Sequence, residues 1–446
     1  MDKEIKQRIE QLNNGEIPKG YKKTDFGVFP SDWVTDKTLG DLFDFYGGLS
    51  KSRDELGEEG YAYLHYGDLH RGSFNTVSID QYEHLPKCDI SLTGKEKCLM
   101  KDGDVAFLDA SEDLEGTSRA VLIDNPENKP FIAGLHIIYG KAKNDSLSKW
   151  FKQYITSSNS VKKQFQRLAV GFKVYGVNRD TIPRIRLAYP SSNKEQSKIA
   201  EILMKWDEAI ELYDKQIDAL TRYKAVCLRK MFPAKGQNVP EWRFQGFTDA
   251  WEQRKLSDVT SIITKGTTPL DKTGAGEINF IKIENLDSNS GEILSCAKIT
   301  KEEHEGYLKR SQLKKDDILF SIAGTLGRVG VVKSSILPAN TNQALSIIRL
   351  KEGNIGYIST ALKGKVVADF IRCNPTIGAQ PNLSLEQVGN LAIPYPEIHE
   401  QIAVGDFFGK VDNLITLHQR KKEAITNQRK TLQQYLLNGI VRVKNE

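Results

Sequence analysis

A chain of 446 residues with 39% hydrophobic and 27% charged side chains is long enough for two or three domain cores and excludes a disordered or fibrous protein. No apolar run approaches the roughly 20 residues that span a bilayer, and the charged opening Met1-Asp2-Lys3-Glu4 lacks the apolar core of a secretory leader, so a cytoplasmic location away from membranes is expected. The net charge of +5 is too mild to name a partner by itself.

In chain order, residues 1–23 read as an N-terminal helical segment and 24–192 as a first mixed domain, with strand-like runs at Tyr61–Leu64 and Val105–Leu108 between turn-rich flanks. Charge divides this domain: residues 41–130 carry 9 Lys and Arg against 19 Asp and Glu, whereas 141–190 carry 11 against 2. A basic stretch of that kind can neutralise phosphates and release counterions, although a solvated helix face has the same composition. Residues 147–168 read as one amphipathic helix, with Trp150, Phe151, Tyr154, Ile155, Val161, Phe165 and Leu168 inward and Lys149, Lys152, Lys162, Lys163 and Arg167 outward. A long helix follows at 193–232, a Pro- and Gly-containing linker at 233–241, a second mixed domain at 242–397 and a second long helix at 398–446. Strand-like runs at Ile278–Ile281 and 318–322 mark the second domain.

The two halves repeat each other. Phe29-x-x-x-Trp33 returns as Phe247-x-x-x-Trp251 after 218 residues, Leu39-Gly-Asp-Leu42 as Leu256-Ser-Asp-Val259, and Tyr66-Gly-Asp-Leu69 as Ile283-Glu-Asn-Leu286. Lys101-Asp-Gly-Asp-Val-Ala-Phe107 aligns with Lys315-Asp-Asp-Ile-Leu-Phe320, Val170-Gly171 and Asn178 with Ile377-Gly378 and Asn382, and Tyr189-Pro190 with Tyr395-Pro396. After each Tyr-Pro comes Glu-Gln, at Glu195 and Glu400, and then apolar residues spaced alternately by four and three. The first seam holds Ile199, Leu203, Trp206, Ile210, Tyr213, Ile217 and Leu220, then Lys224, Cys227 and Met231. Adding 205 to each gives Val404, Phe408, Val411, Ile415, His418, Lys422, Ile425, Arg429, Leu432 and Leu436. A stripe kept this long predicts that the two helices pair as a coiled coil. Lys224 and Arg429 share one seam position, which can fix register or admit a polar neighbour. The fold class is therefore α+β: two mixed α/β domains separated by two long helices forming an antiparallel coiled coil, with a pseudo-two-fold internal repeat.

Catalytic and metal signatures are missing from the sequence. There is no phosphate-binding Gly-x4-Gly-Lys-[Ser/Thr], no Gly-x-Gly-x-x-Gly turn and no paired-histidine zinc spacing. Cys88, Cys98, Cys227, Cys296 and Cys373 include no Cys-x2-Cys pair. Asn374-Pro375-Thr376-Ile377 lacks the second proline and the aromatic of an amino-methyltransferase tetrapeptide. Asp109, Glu112 and Asp113 cluster, and a turn is the simpler reading than a metal site.

With its repeat, the sequence resembles the specificity subunits of type I restriction–modification systems. The resemblance spans nearly the whole chain and is sharpest in Gly103-Asp-Val-Ala-Phe-Leu-Asp-Ala-Ser-Glu-Asp113, Asp317-Ile-Leu-Phe-Ser-Ile-Ala-Gly-Thr-Leu-Gly327 and the two Glu-Gln helix starts. It implies that 24–192 and 242–397 are target-recognition domains, each reading half of a bipartite asymmetric site on double-stranded DNA. It also implies that the helices act as a ruler and dock two methyltransferase (modification) subunits, and that motor-nuclease (restriction) subunits join them. The chain would then be a non-catalytic subunit with no cofactor or metal of its own, S-adenosylmethionine, ATP and Mg2+ being expected only on the partners. About 35 helical residues at 1.5 Å each give roughly 50 Å, or roughly 15 base pairs. DNA contacts are expected from Lys51, Ser52, Arg53, Ser111, Arg119, Lys173, Tyr175 and Asn178 in the first domain. In the second they are expected from Lys265, Thr267, Thr268, Arg328, Asn340, Asn342, Gln343, Gln380 and Asn382. Two other readings remain open on sequence: the specificity subunit of another multisubunit restriction–modification system, and a coiled-coil scaffold that does not bind DNA.

Overall fold

The computed structural model describes residues 2–71, 76–78, 84–91, 96–171, 174–270, 273–288, 290–373 and 381–443. Among the residues singled out above, Lys173, Gln380, Gly378 and the 374–377 tetrapeptide lie outside them. The chain divides into two compact units, one of residues 1–210 with 424–446 and one of residues 211–423. Each unit thus takes a stretch of both long helices, which run over Asn193–Lys230 and Ile398–Leu437.

The first unit is built on a five-stranded sheet in the order Phe43–Gly47, Ile137–Ala142, Val105–Leu108, Ala120–Asp124, Thr76–Ser78. Strand alternation sends successive side chains to opposite faces, and both faces are covered. Val105, Phe107, Leu122 and Phe43 join the core that includes Ile199, Leu203 and Leu436 of the long helices. Ala106, Leu108, Val121 and Tyr139 face a second core shared with Ala62, Leu64, Met100 and Phe131. Those four come from a smaller sheet ordered Lys87–Cys88, Tyr61–Leu64, Phe131–Ala133, Leu99–Met100, whose central pair is parallel.

The second unit has the same plan. Its main sheet runs Thr260–Lys265, Leu345–Leu350, Ile318–Ser321, Val329–Val331, and its smaller one Ala297–Ile299, Ile278–Ile281, Ala339–Thr341, again with one parallel pair. Ile318, Phe320 and Ile348 point to a core containing Cys227, Val404 and Phe408 of the long helices and Met231 just beyond the first. Leu319, Leu345 and Ile347 point to the other core.

The Glu-Gln pair opening each long helix acts as an anchor. Gln196 accepts from Ser148 N at 2.7 Å and donates to Pro190 O at 2.9 Å, while Gln401 accepts from Asn354 N and donates to Pro396 O, both at 2.9 Å. Buried Glu195 is gripped by Arg442, and buried Glu400 by Arg243 and by the indole of Trp251. A buried carboxylate holds its charge only with such fixed donors.

Within each unit the two helices lie side by side in opposite senses. In the first, Asp207 takes Arg429 at 2.8 Å and the Tyr154 hydroxyl at 2.8 Å. In the second, Asp412 lies 2.5 Å from Lys224 and 3.4 Å from Lys363, Lys422 reaches Asp214 at 2.5 Å, and the Tyr213 and His418 rings are 5.6 Å apart. Of the seam, Ile199, Leu203, Val404, Phe408, Val411, Ile415 and Leu436 are buried. Trp206, Ile210, Tyr213, Ile217, Leu220, Ile425 and Leu432 are half-buried, whereas the off-seam Leu212, Leu414 and Leu417 are exposed.

The single helix expected over 147–168 is two elements. A 3₁₀ stretch, Lys149–Tyr154, is followed by an α-helix, Asn159–Leu168, that Ser158 caps by accepting from Val161 N at 3.3 Å. The tighter turn changes which side chains face in. Lys152, expected outward, is 9% exposed and donates to Gly103 O at 3.1 Å, while Trp150, expected inward, is 36% exposed. Lys149 bridges Asp102 and Asp124 at 2.7 and 2.6 Å.

Candidate nucleic-acid interface

Antiparallel pairing fixes which loops meet. In the first unit the end of Phe43–Gly47, the start of Ile137–Ala142 and the end of Val105–Leu108 fall at one edge of the main sheet. There Gly48 N donates to Ile137 O at 2.9 Å, Asp109 N to His136 O at 3.2 Å and Val177 N to Asp109 O at 2.8 Å. The loops cross so closely that a Cβ on Gly48 would lie 1.9 Å from Gly134 O, so only glycine fits. Buried Tyr63 ties them from below: its hydroxyl donates to Leu49 O at 2.6 Å and accepts from Leu135 N at 2.8 Å and Lys51 N at 3.2 Å.

The second unit repeats this edge. Gly266 N donates to Leu345 O at 3.2 Å, Thr267 N to Thr341 O at 2.9 Å, Ile322 N to Ala344 O at 2.8 Å and Leu383 N to Ile322 O at 2.8 Å. A Cβ on Gly266 would meet Thr341 O at 2.1 Å. Matching glycines therefore hold matching crossings, and the loops beyond them carry exposed residues, among them Ser52 and Thr268.

The expected contact residues fall into three groups. Ser52, Arg53, Asn178, Lys265, Thr268, Gln343 and Asn382 are exposed on these loops, and Lys51, Arg119, Tyr175, Thr267, Arg328 and Asn342 are half-buried beside them. Several already have work within the protein. Lys51 pairs with Glu55 at 2.8 Å, and that hydrogen bond, with those from Ser52, lowers the Glu55 carboxyl to about 2. Asn178 Oδ1 accepts from Asp180 N and Thr181 N, closing a turn. Arg328 donates to Ile283 O and Leu286 O at 3.3 and 3.2 Å. Burial lowers the pKa of Arg119, with Asp113 opposing.

Two expectations are corrected. Asn340 is fully buried, its amide donating to Leu308 O at 2.8 Å and Ser311 Oγ at 3.0 Å, and Ser111, 2% exposed, accepts from Asp113 N at 3.3 Å. Both are framework residues: a polar side chain this buried is spent on internal partners.

Other residues at these edges carry only weak signals in the sequence. Arg310 donates to Thr267 Oγ1 at 3.2 Å, and Thr268 to Gln343 Oε1 at 2.9 Å. In the first unit His136 lies 3.0 Å from Asp109, with Tyr66 edge-on at 5.5 Å and His65 packed on Tyr66 at 4.6 Å. Burial raises the Asp109 carboxyl above its ordinary range, and His136 opposes that rise. A His in Gly-Leu-His before an apolar strand was the available clue. Among the described residues, no group of three or more His, Cys, Asp or Glu could hold a metal, and no helix is long and apolar enough to cross a membrane.

A family model described as the type I restriction modification DNA specificity domain matches the chain twice, over residues 30–222 and 248–427. The provisionally named MjaX type I restriction enzyme specificity subunit of Methanocaldococcus jannaschii is 21% identical over 440 residues, covering 96% of this chain and 97% of that one. The MjaVIII specificity subunit of the same organism is 25% identical over 306 residues, 66% of this chain and 71% of its own. Among solved structures, the type I restriction–modification S subunit from M. genitalium superposes with a TM-score of 0.55 at 16% identity, over 91% of this chain and 96% of that one, a likeness of fold. With one specificity-domain model matched in both halves over most of its length, the chain belongs to the family of type I restriction–modification specificity subunits.

Proposed function

We propose that each unit presents its glycine-crossed loop edge to one half of a bipartite, asymmetric site on double-stranded DNA. The long helices, in this reading, form a pseudo-two-fold antiparallel coiled coil that sets the spacer and docks two methyltransferase subunits. Restriction subunits complete the assembly, S-adenosylmethionine, ATP and Mg2+ are used by those partners, and the chain itself carries out recognition without catalysis in the cytoplasm. The observation that carries the reading is the occurrence of the same loop crossing, at Gly48 and at Gly266, on two main sheets that share the order of four strands. Supporting it, the ion pairs Asp207–Arg429 and Lys224–Asp412 exchange under the 205-residue interval. A scaffold without a DNA role has no use for two such polar-rimmed edges.

The test is genome-wide methylation mapping with the chain and its modification subunit expressed together. Replacing Lys265, Thr268 and Gln343 with Ala should alter one half-site and spare the other, because base contacts carry sequence and phosphate contacts do not. Equal loss at both half-sites would contradict a division of labour between the units.

A further inference from the structure

Resting on that reading, we propose that His136 is a specificity-determining residue of the first unit, poised to accept a hydrogen bond from the exocyclic amino group of an adenine or cytosine in the major groove. Its backbone adopts φ +63°, in the left-handed region where a side chain is strained. Strain of this kind persists where surrounding structure imposes it, and it concentrates at ligand-contacting positions. Here the surroundings are the Gly48–Gly134 crossing and the bond from Asp109 N to His136 O. His136 stands immediately before the strand flanked by the two others whose loops form the edge.

The ring is fixed from two sides yet open on the third. Nδ1 lies 3.0 Å from Asp109 Oδ1, Tyr66 packs edge-on, and the side chain remains 45% exposed. Where the Asp109 carboxylate accepts from Nδ1, the Nε2 lone pair is the ring's remaining hydrogen-bonding site, on a side chain that stays partly exposed. In the major groove the complementary donors are adenine N6 and cytosine N4. A carboxylate beside the ring disfavours a phosphate partner and favours a base edge. The second unit has Ala344 at the equivalent place, receiving Ile322 N as His136 receives Asp109 N, so the contact belongs to one half-site.

The experiment uses the full chain with its modification subunit and competition binding by duplexes carrying every single base-pair change, after methylation mapping has defined the site. His136→Gly removes the ring and relieves the left-handed strain, so its melting temperature should equal or exceed that of the unaltered chain. It should lose roughly 2- to 12-fold discrimination at one base pair of one half-site, the range of a single hydrogen bond. Asp109→Asn should weaken the same position. Purine in place of adenine, or the amino-deleted pyrimidinone in place of cytosine, should reproduce the loss for the unaltered chain and cost His136→Gly nothing. Unchanged discrimination by His136→Gly, loss spread over both half-sites, or sensitivity to 7-deazapurine instead of amino deletion would each overturn the assignment. An unaltered chain that discriminates at no position would instead overturn the recognition reading beneath it.

Discussion

Asp412→Ala is the perturbation whose cost can be worked most directly from the structure. Asp412 is the acidic partner of two lysines, Lys224 at 2.5 Å and Lys363 at 3.4 Å, whose side chains are only 8% and 19% exposed. Burial already lowers the pKa of Lys363, with Asp412 the leading opposing influence. Removing the carboxylate leaves two desolvated ammonium groups facing each other. Breaking one buried pair in this way costs about 3–5 kcal/mol. At about 2–4 °C per kcal/mol for a cooperative unit of this size, the melting temperature should fall by on the order of 10 °C. Differential scanning calorimetry at low and high salt is the assay, and the loss should persist in salt because a buried pair is poorly screened. Replacing Asp412, Lys224 and Lys363 together by Leu, Met and Met should recover much of it, since a buried ionic cluster is often exchangeable for packed apolar side chains. Glu201→Ala, which removes the exposed pair to Lys205, should leave the melt unchanged. An Asp412→Ala melt within about 1 °C of the unaltered chain would refute the reasoning.

Three further outcomes are expected. Burial raises Asp104 to about 6 from an ordinary 3.8, so the folded state holds this proton more tightly than the unfolded chain. Its ionisation therefore removes stability as pH rises from about 4 to 6, and Asp104→Asn should gain up to about 3 kcal/mol over the unaltered chain at pH 8 and nothing at pH 4, measured by urea unfolding. Gln196→Ala leaves Ser148 N and Pro190 O without their partner and should destabilise the chain by about 1–3 kcal/mol in the same assay. Arg328→Ala should relax one half-site in methylation mapping and, because its guanidinium holds Ile283 O and Leu286 O, lower the melting temperature as well.

The seam was legible because a 3.5-residue repeat forces one face of each helix inward, and its twenty positions are all buried or half-buried. The anions that answer its basic residues were not, since Asp207, Asp214 and Asp412 sit one position off the seam and look like solvated surface in one dimension. Strands such as Tyr61–Leu64 and Ile278–Ile281 show in composition, and their turn-rich ends indicate the loops. Which loop residues face out is set by pairing across tens or hundreds of positions. Asn340 and Ser111 carry the same chemistry as Gln343 and Ser52, but close packing turned the first two inward. Lys152 went the same way because a 3₁₀ stretch replaced the expected α-helical turn.

The claim that two reading heads are held at a distance set by paired helices is tested most directly by excising one equivalent heptad from each, residues 213–219 and 418–424, and mapping methylation across a genome. This leaves Lys224–Asp412 and Asp207–Arg429 in place while shortening each helix by about 10 Å. The expected result is both half-sites retained with the spacer shortened by about 3 base pairs. An active complex whose spacer is unchanged would contradict the account.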